Sequence, residues 1–220
     1  LEVIVWMGLV VMIDAIRRNT LRYCALRGSV ILLVWLAAVP VAAESFAWHD
    51  IIKQPTPANF SICYDHSCAS VTTDSMSAEE WRRATEPFSK TVTSASDERA
   101  VIAKAVAILE EIIGEHLGTA ADKGGNLAGF GKPRQLDCID ESTNTNTYLR
   151  MLERYGLFKF HTVAERSTRF GIFIGMPHTT AVIRENDTGI RYAVDSWFFD
   201  NGQPPYIVKL EDWKSGKDPY

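Results

Sequence analysis

The chain has 220 residues, 46% of them hydrophobic, and its 23 Lys and Arg against 27 Asp and Glu leave a formal net charge of -4. Mild acidity without a long basic run excludes the electrostatic footprint of nucleic-acid or anionic-lipid binding. There is no internal repeat and no low-complexity segment.

The first stretch has the layout of an export signal. Arg17, Arg18, Arg22 and Arg27 form a basic n-region, Val30 to Leu36 an apolar h-region, and Val41-Ala42-Ala43 a small-residue cleavage site before Glu44. The apolar core is shorter than the roughly 18 residues of a membrane span, so an uncleaved anchor is the weaker reading. Residues 1–11 precede Met12, which reads as the true start, with the leading residues as a gene-model artefact. Cleavage after residue 43 leaves 44–220 as a single periplasmic or secreted domain with no membrane span.

Export bears on the cysteines. Cys24 leaves with the signal, and Cys63 and Cys68 are close enough in an oxidising compartment to read as a disulfide. A metal site of Cys63, His66 and Cys68 competes, but no fourth ligand follows at a convincing spacing. Cys138 is then the odd thiol, either buried and inert or kept free for chemistry.

In chain order, Ala47 to Thr73 reads as irregular structure with a disulfide-closed turn. Ser77-Ala78-Glu79-Glu80 is a capping-box pattern whose helix ends near Pro87. A longer helix follows Ser96, with Ile102, Ala105, Val106, Leu109, Ile112 and Ile113 at core spacing and Gly118 as its stop. Gly124, Gly125, Gly129 and Gly131 punctuate a long loop best placed beside an active site. The segment from Cys138 reads as a helix to Gly156, although Ser142 to Thr147 has poor helix propensity. Phe158–Val163, Phe170–Ile174, His178–Ile183 and Ile190–Asp195 read as strands, and Asn186-Asp187-Thr188-Gly189 as a turn. Helices first and an antiparallel sheet last make an α+β domain.

Cys138, His178 and Asp195 stand in the order of a nucleophile, a base and an orienting carboxylate. A helix N-terminus favours a thiolate. Loop length decides whether His178 and Asp195 share a sheet face. A four-residue loop over Asn186–Gly189 closes Glu185 on Ile190 and places both on one face; a three-residue loop with a bulge at Gly189 separates them. Asp137, Asp140 and Glu141 crowd negative charge around the thiol and oppose its ionisation. The Cys138 N–H, Gln135 and Asn126 are candidate oxyanion donors. His49, His66, His116 and His161 have no comparable setting, and Trp197 and Trp213 read as core or rim aromatics.

Asp137-Cys138-Ile139-Asp140, a helix ending in Tyr155-Gly156-Leu157, then a strand His and a strand Asp resemble the transglutaminase-like cysteine peptidase superfamily, in particular its bacterial exported branch. The resemblance spans about residues 136–200. It implies a papain/transglutaminase-like core, with the nucleophile helix packed on a C-terminal antiparallel sheet. It also implies a thiol hydrolase or acyltransferase acting on a peptide or amide bond, with hydrolysis of a protein or peptide favoured. Many relatives carry an aromatic residue shortly after the His, where this chain has Thr179-Thr180-Ala181. Some exported relatives bind calcium through acids flanking the nucleophile. Asp137 matches one such position and Ile139 replaces the other, so no cofactor is required and calcium at Asp137 and Asp140 is an option. The alternative is a non-catalytic envelope protein that keeps the fold as a binding or scaffold module.

Overall fold

The computed structural model describes residues 51–125, 132–170 and 177–220. The expected signal segment, Asn126 and most of the Phe170–Ile174 strand lie outside the described residues. Among the described residues the fold is α+β, with four α-helices and two antiparallel sheets. No described helix is long and apolar enough to cross a membrane.

Strands β1 (Phe60–Tyr64) and β2 (Ser70–Asp74) form a hairpin where the sequence suggested irregular structure. Their link, Asp65 to Cys68, has positive φ at four successive non-glycine residues, each between 53° and 66°. Side-chain patterning cannot announce such a turn, since L-residues in the left-handed region cost about 1–2 kcal/mol each. It persists because it is held from both sides. A Cys63–Cys68 disulfide closes it. The N–H groups of His66, Ser67 and Cys68 donate to the carboxylates of Asp140, Asp137 and Asp140, at 2.8, 2.8 and 2.7 Å.

Helix α1 (Ala78–Thr85) carries the expected capping box, with Ser77 as N-cap and Glu80 at N3, and runs into a 3-10 turn through Pro87. Helix α2 (Ala95–Leu117) begins just before the expected point, because the Ser94 hydroxyl accepts from Asp97 N–H. It ends at Gly118 in the left-handed region. Its apolar stripe packs with Phe60, Leu149, Leu152, Ile183 and Val194 in the main core.

Helix α3 (Cys138–Arg154) buries residues of weak helix propensity, and tertiary partners compensate for it. The Asn144 amide exchanges two hydrogen bonds with the Cys63 backbone, at 2.8 and 2.9 Å. The Thr145 hydroxyl meets Ser196 at 3.0 Å.

Strands β3 (His161–Phe170), β4 (Pro177–Glu185), β5 (Arg191–Asp195) and β6 (Tyr206–Lys209) form a meander in sequence order. The expected strand over Phe158–Val163 starts late for a clear reason. Buried Glu98 accepts the N–H groups of Lys159 and Phe160 at 2.6 and 2.9 Å, taking donors a sheet would need. Neither β6 nor the short α4 (Leu210–Lys214) was expected from sequence.

Asp140 is therefore a structural hinge between α3 and the hairpin. Asp140→Asn replaces one acceptor oxygen with an NH2 facing a backbone N–H donor. We predict a loss of about 2 kcal/mol in urea unfolding. A loss below about 0.5 kcal/mol contradicts the clamp.

Candidate active site

Cys138 is the first residue of α3, and Asp137 is its N-cap. Asp137 Oδ1 accepts from Ile139 and Asp140 N–H at 2.9 and 3.0 Å, which satisfies two otherwise orphaned helix donors. Asp140 completes the box by accepting Asp137 N–H at 3.2 Å. Burial opposes the thiolate most strongly, the Asp137 and Asp195 carboxylates add to that opposition, and the N–H groups of Thr179 and of Cys138 itself favour the thiolate. The balance pushes the thiol up to about 12. Cys138 is half-buried, and its sulfur lies 3.9 Å from the Pro177 carbonyl oxygen. Among the described residues the thiol's hydrogen-bond contacts are backbone groups of β4, the Pro177 carbonyl and the Thr179 N–H, and not the imidazole.

The β4–β5 hairpin has the register with a four-residue loop. Glu185 N–H donates to Ile190 O at 2.8 Å, Gly189 has φ +70°, and Ala181 pairs with Val194. His178 and Asp195 consequently meet, with His178 Nε2 2.7 Å from Asp195 Oδ2 and both residues buried. The carboxylate can only accept, so Nε2 carries the proton and Nδ1 is the acceptor nitrogen. Trp197, Phe198 and Trp213 surround the ring at centroid distances of 4.9, 5.4 and 5.5 Å.

Trp213 has a role that sequence reading missed. Its Nε1–H donates to the same Asp195 oxygen at 2.7 Å. Arg169, buried on β3, fixes Trp213 from behind, with its guanidinium 4.3 Å over the ring and a bond to the Trp213 carbonyl. The only available signal was general: a buried indole N–H needs an acceptor.

The other expected residues divide. The Gln135 amide donates to Ala121 O at 3.4 Å, tying it to the turn after α2. Asn126 lies outside the described residues. The turn before it does approach the site, since Gly125 N–H donates to Trp197 O at 2.7 Å. At Gly124 a Cβ would come within 2.4 Å of the Phe199 backbone, so only glycine permits that approach. His161, expected to lack a special setting, is in fact a second buried His–carboxylate pair, 2.7 Å from Glu98. It serves the core, where Arg99 Nη1 also reaches its other ring nitrogen at 3.1 Å.

Asp137 and Asp140 do not fit a calcium site. Asp137 accepts from Ile139 N, Asp140 N, Ser67 N and the Ser67 hydroxyl, and Asp140 from His66, Cys68 and Asp137 N. A carboxylate turned toward N–H donors is not turned toward a cation. Ligand atoms of Cys63, Cys68 and Asp140 lie within 4.8 Å of one another, but the sulfurs are bonded to each other and cannot act as thiolates.

Beneath the site lies a set of buried acids. Burial raises Glu110 and Glu141 well above the carboxylate range, Asp122 to about 6 and Asp140 to about 7. The Ser196 side chain and the Gly202 N–H, the latter donating at 3.3 Å, partly offset that burial at Glu110, and Asp122 accepts Leu136 N–H at 2.8 Å. These acids brace the end of β5 and the approach to Cys138.

Comparisons with protein-family models, with curated proteins and with solved structures give no match for this chain.

Two outcomes follow from this geometry. Acids whose folded-state pKa is raised stabilise the fold below their unfolded value near 4, and that contribution is lost as pH rises through the folded values. The carboxylates held low, such as Glu80 at about 2, lose their contribution only under more acidic conditions. We predict a melting temperature several degrees higher at about pH 5 than at about pH 8.5; an equal or reversed order contradicts the burial of these acids. Trp213→Phe removes one donor from Asp195 while keeping an aromatic ring. It should cost about 2 kcal/mol in urea unfolding, as expected for a bond to a charged acceptor, whereas a neutral variant contradicts the contact.

Proposed function

We propose that this protein is an exported thiol hydrolase or acyltransferase with a Cys138-His178-Asp195 triad on a papain/transglutaminase-like core, most simply a cysteine peptidase. The supporting observation is the buried 2.7 Å His178–Asp195 pair on the sheet that packs against α3, with Cys138, the free cysteine among the described residues, 3.9 Å from the Pro177 carbonyl of the strand that carries His178. The Cys63–Cys68 disulfide fits an oxidising compartment, consistent with a periplasmic or secreted location.

In this reading the site rests as a neutral thiol and imidazole. A substrate carbonyl settles near the Cys138 N–H, which faces the developing oxyanion. The Cys138 proton passes to His178 Nδ1 as sulfur attacks the carbonyl carbon. Asp195 stabilises the imidazolium through Nε2–H, and Trp213 keeps the carboxylate aimed at it. His178 then returns the proton to the leaving amine, and a thioester remains. Water attacking it gives hydrolysis, and a second amine gives acyl transfer. No step uses a metal or organic cofactor.

A thiol pushed up to about 12 with a carbonyl contact also suits the rival reading, a binding or scaffold protein that keeps the fold without turnover. Alkylation kinetics separate the two. The enzyme reading predicts that iodoacetamide labels Cys138 near neutral pH with His178 taking its proton, so that His178→Ala slows labelling by roughly tenfold or more. Equal, sluggish labelling of both proteins favours the scaffold.

A further inference from the structure

A cavity of about 450 Å³ lies along the flank of α3, against β3 and the segment around Lys53. That is within the range of ligand pockets. Its charged lining is Lys53, Arg150 and Arg166 against a single acid, Glu165. The Arg150–Glu165 pair is 3.4 Å long with Glu165 almost fully exposed, so it is easily displaced by another carboxylate. Burial lowers Arg166 to about 10, which leaves it protonated at neutral pH. On the helix side, Asn146 Oδ1 is buried without a hydrogen-bond partner. An acceptor beside cations suits a ligand that brings both a carboxylate and an N–H group.

Two features show that the cavity is built into the fold. A β-bulge between Ala164 and Ser167 interrupts the β3–β4 ladder. The extra residue re-aims this part of the strand, as bulges beside functional sites do. From the bulge, Arg166 reaches across to α3 and donates to the Ser142 and Thr143 hydroxyls at 3.1 and 2.6 Å. Those hydroxyls in turn donate to Ile139 O at 3.2 and 2.6 Å, one residue from the thiol.

Distance along the helix fixes the relation to the candidate nucleophile. At about 1.5 Å per residue, Thr143 lies roughly 7 Å and Arg150 roughly 18 Å from Cys138 along the axis. An extended peptide covers that span in about two to five residues. We propose that this cavity is a subsite for an acidic side chain of the peptide substrate, about two to five residues from the bond attacked by Cys138. The carboxylate lies between Arg150, Lys53 and Arg166, and a backbone N–H of the peptide donates to Asn146. The proposal rests on the peptidase reading for its reference point, but the binding does not require turnover.

The test uses the full chain with Cys138→Ala, so that no cleavage occurs. The probes are fluorescein-labelled peptides Ala-Ala-Glu-Glu-Ala-Ala-amide and its Gln-Gln counterpart, followed by anisotropy. The acidic peptide should bind at least about tenfold more tightly, and adding Lys53→Gln with Arg150→Gln should abolish that preference with an unchanged melting temperature. Equal binding of the two peptides, or a preference that survives the double substitution, overturns the proposal. So does binding of N-acetylglutamate as tight as that of the acidic peptide, which would mark a small-carboxylate site. If the preference holds while Cys138 of the parent chain proves inert to alkylation, the catalytic reading fails and the acidic-peptide site stands.

Discussion

The structure depends on one reciprocal arrangement of two carboxylates at the start of α3. Asp137 and Asp140 cap the helix, and with their remaining lone pairs they hold the N–H groups of a left-handed turn between β1 and β2. Each half requires the other. Without the carboxylates the turn carries unfavourable φ angles with unsatisfied donors. Without the turn, two acids crowd a helix end with nothing to spread their charge. The Cys63–Cys68 bridge and the Asn144 amide extend the clamp to the hairpin strand itself. The outcome is a helix N-terminus fixed in position, with Cys138 at its tip.

The electrostatic cost of this arrangement falls on the thiol. Burial is the largest influence holding Cys138 protonated, and Asp137 contributes through its charge. A lone reactive thiolate is therefore the wrong description of the resting site. The proposed triad has a different logic, in which sulfur is activated only as its proton leaves for the imidazole that Asp195 and Trp213 hold. Glu110 and Glu141 fit the same pattern, since burial keeps them largely protonated near neutral pH and they add little charge of their own.

Much of this was legible in the residues. The helix limits followed from Ser77, Gly118 and Gly156, and the Asn186–Gly189 turn narrowed the β4–β5 register to two, of which the structure has the four-residue one that lets His178 meet Asp195. The strands of the β1–β2 hairpin were not legible, because four successive left-handed residues violate local preference and are held, besides the expected disulfide, by carboxylates some 70 positions away. The late start of β3 was hidden for a similar reason, since Glu98 captures backbone donors from a distant helix. Trp213 was read as a packing residue because α4 gave no sequence signal and its acceptor lies on another element. Local patterns revealed local structure. The clamps, which place the candidate site, are long-range polar contacts that periodicity does not encode.

Whether this placement makes Cys138 the proposed nucleophile that turns over is tested most directly by acylation with p-nitrophenyl acetate. The proposed triad predicts a stoichiometric burst of p-nitrophenolate, a thioester on Cys138 in the intact mass, and steady-state release that disappears in His178→Ala while the fold is retained. Acylation of Cys138 at the rate of a small-molecule thiol, with an adduct that never hydrolyses in either protein, would contradict it.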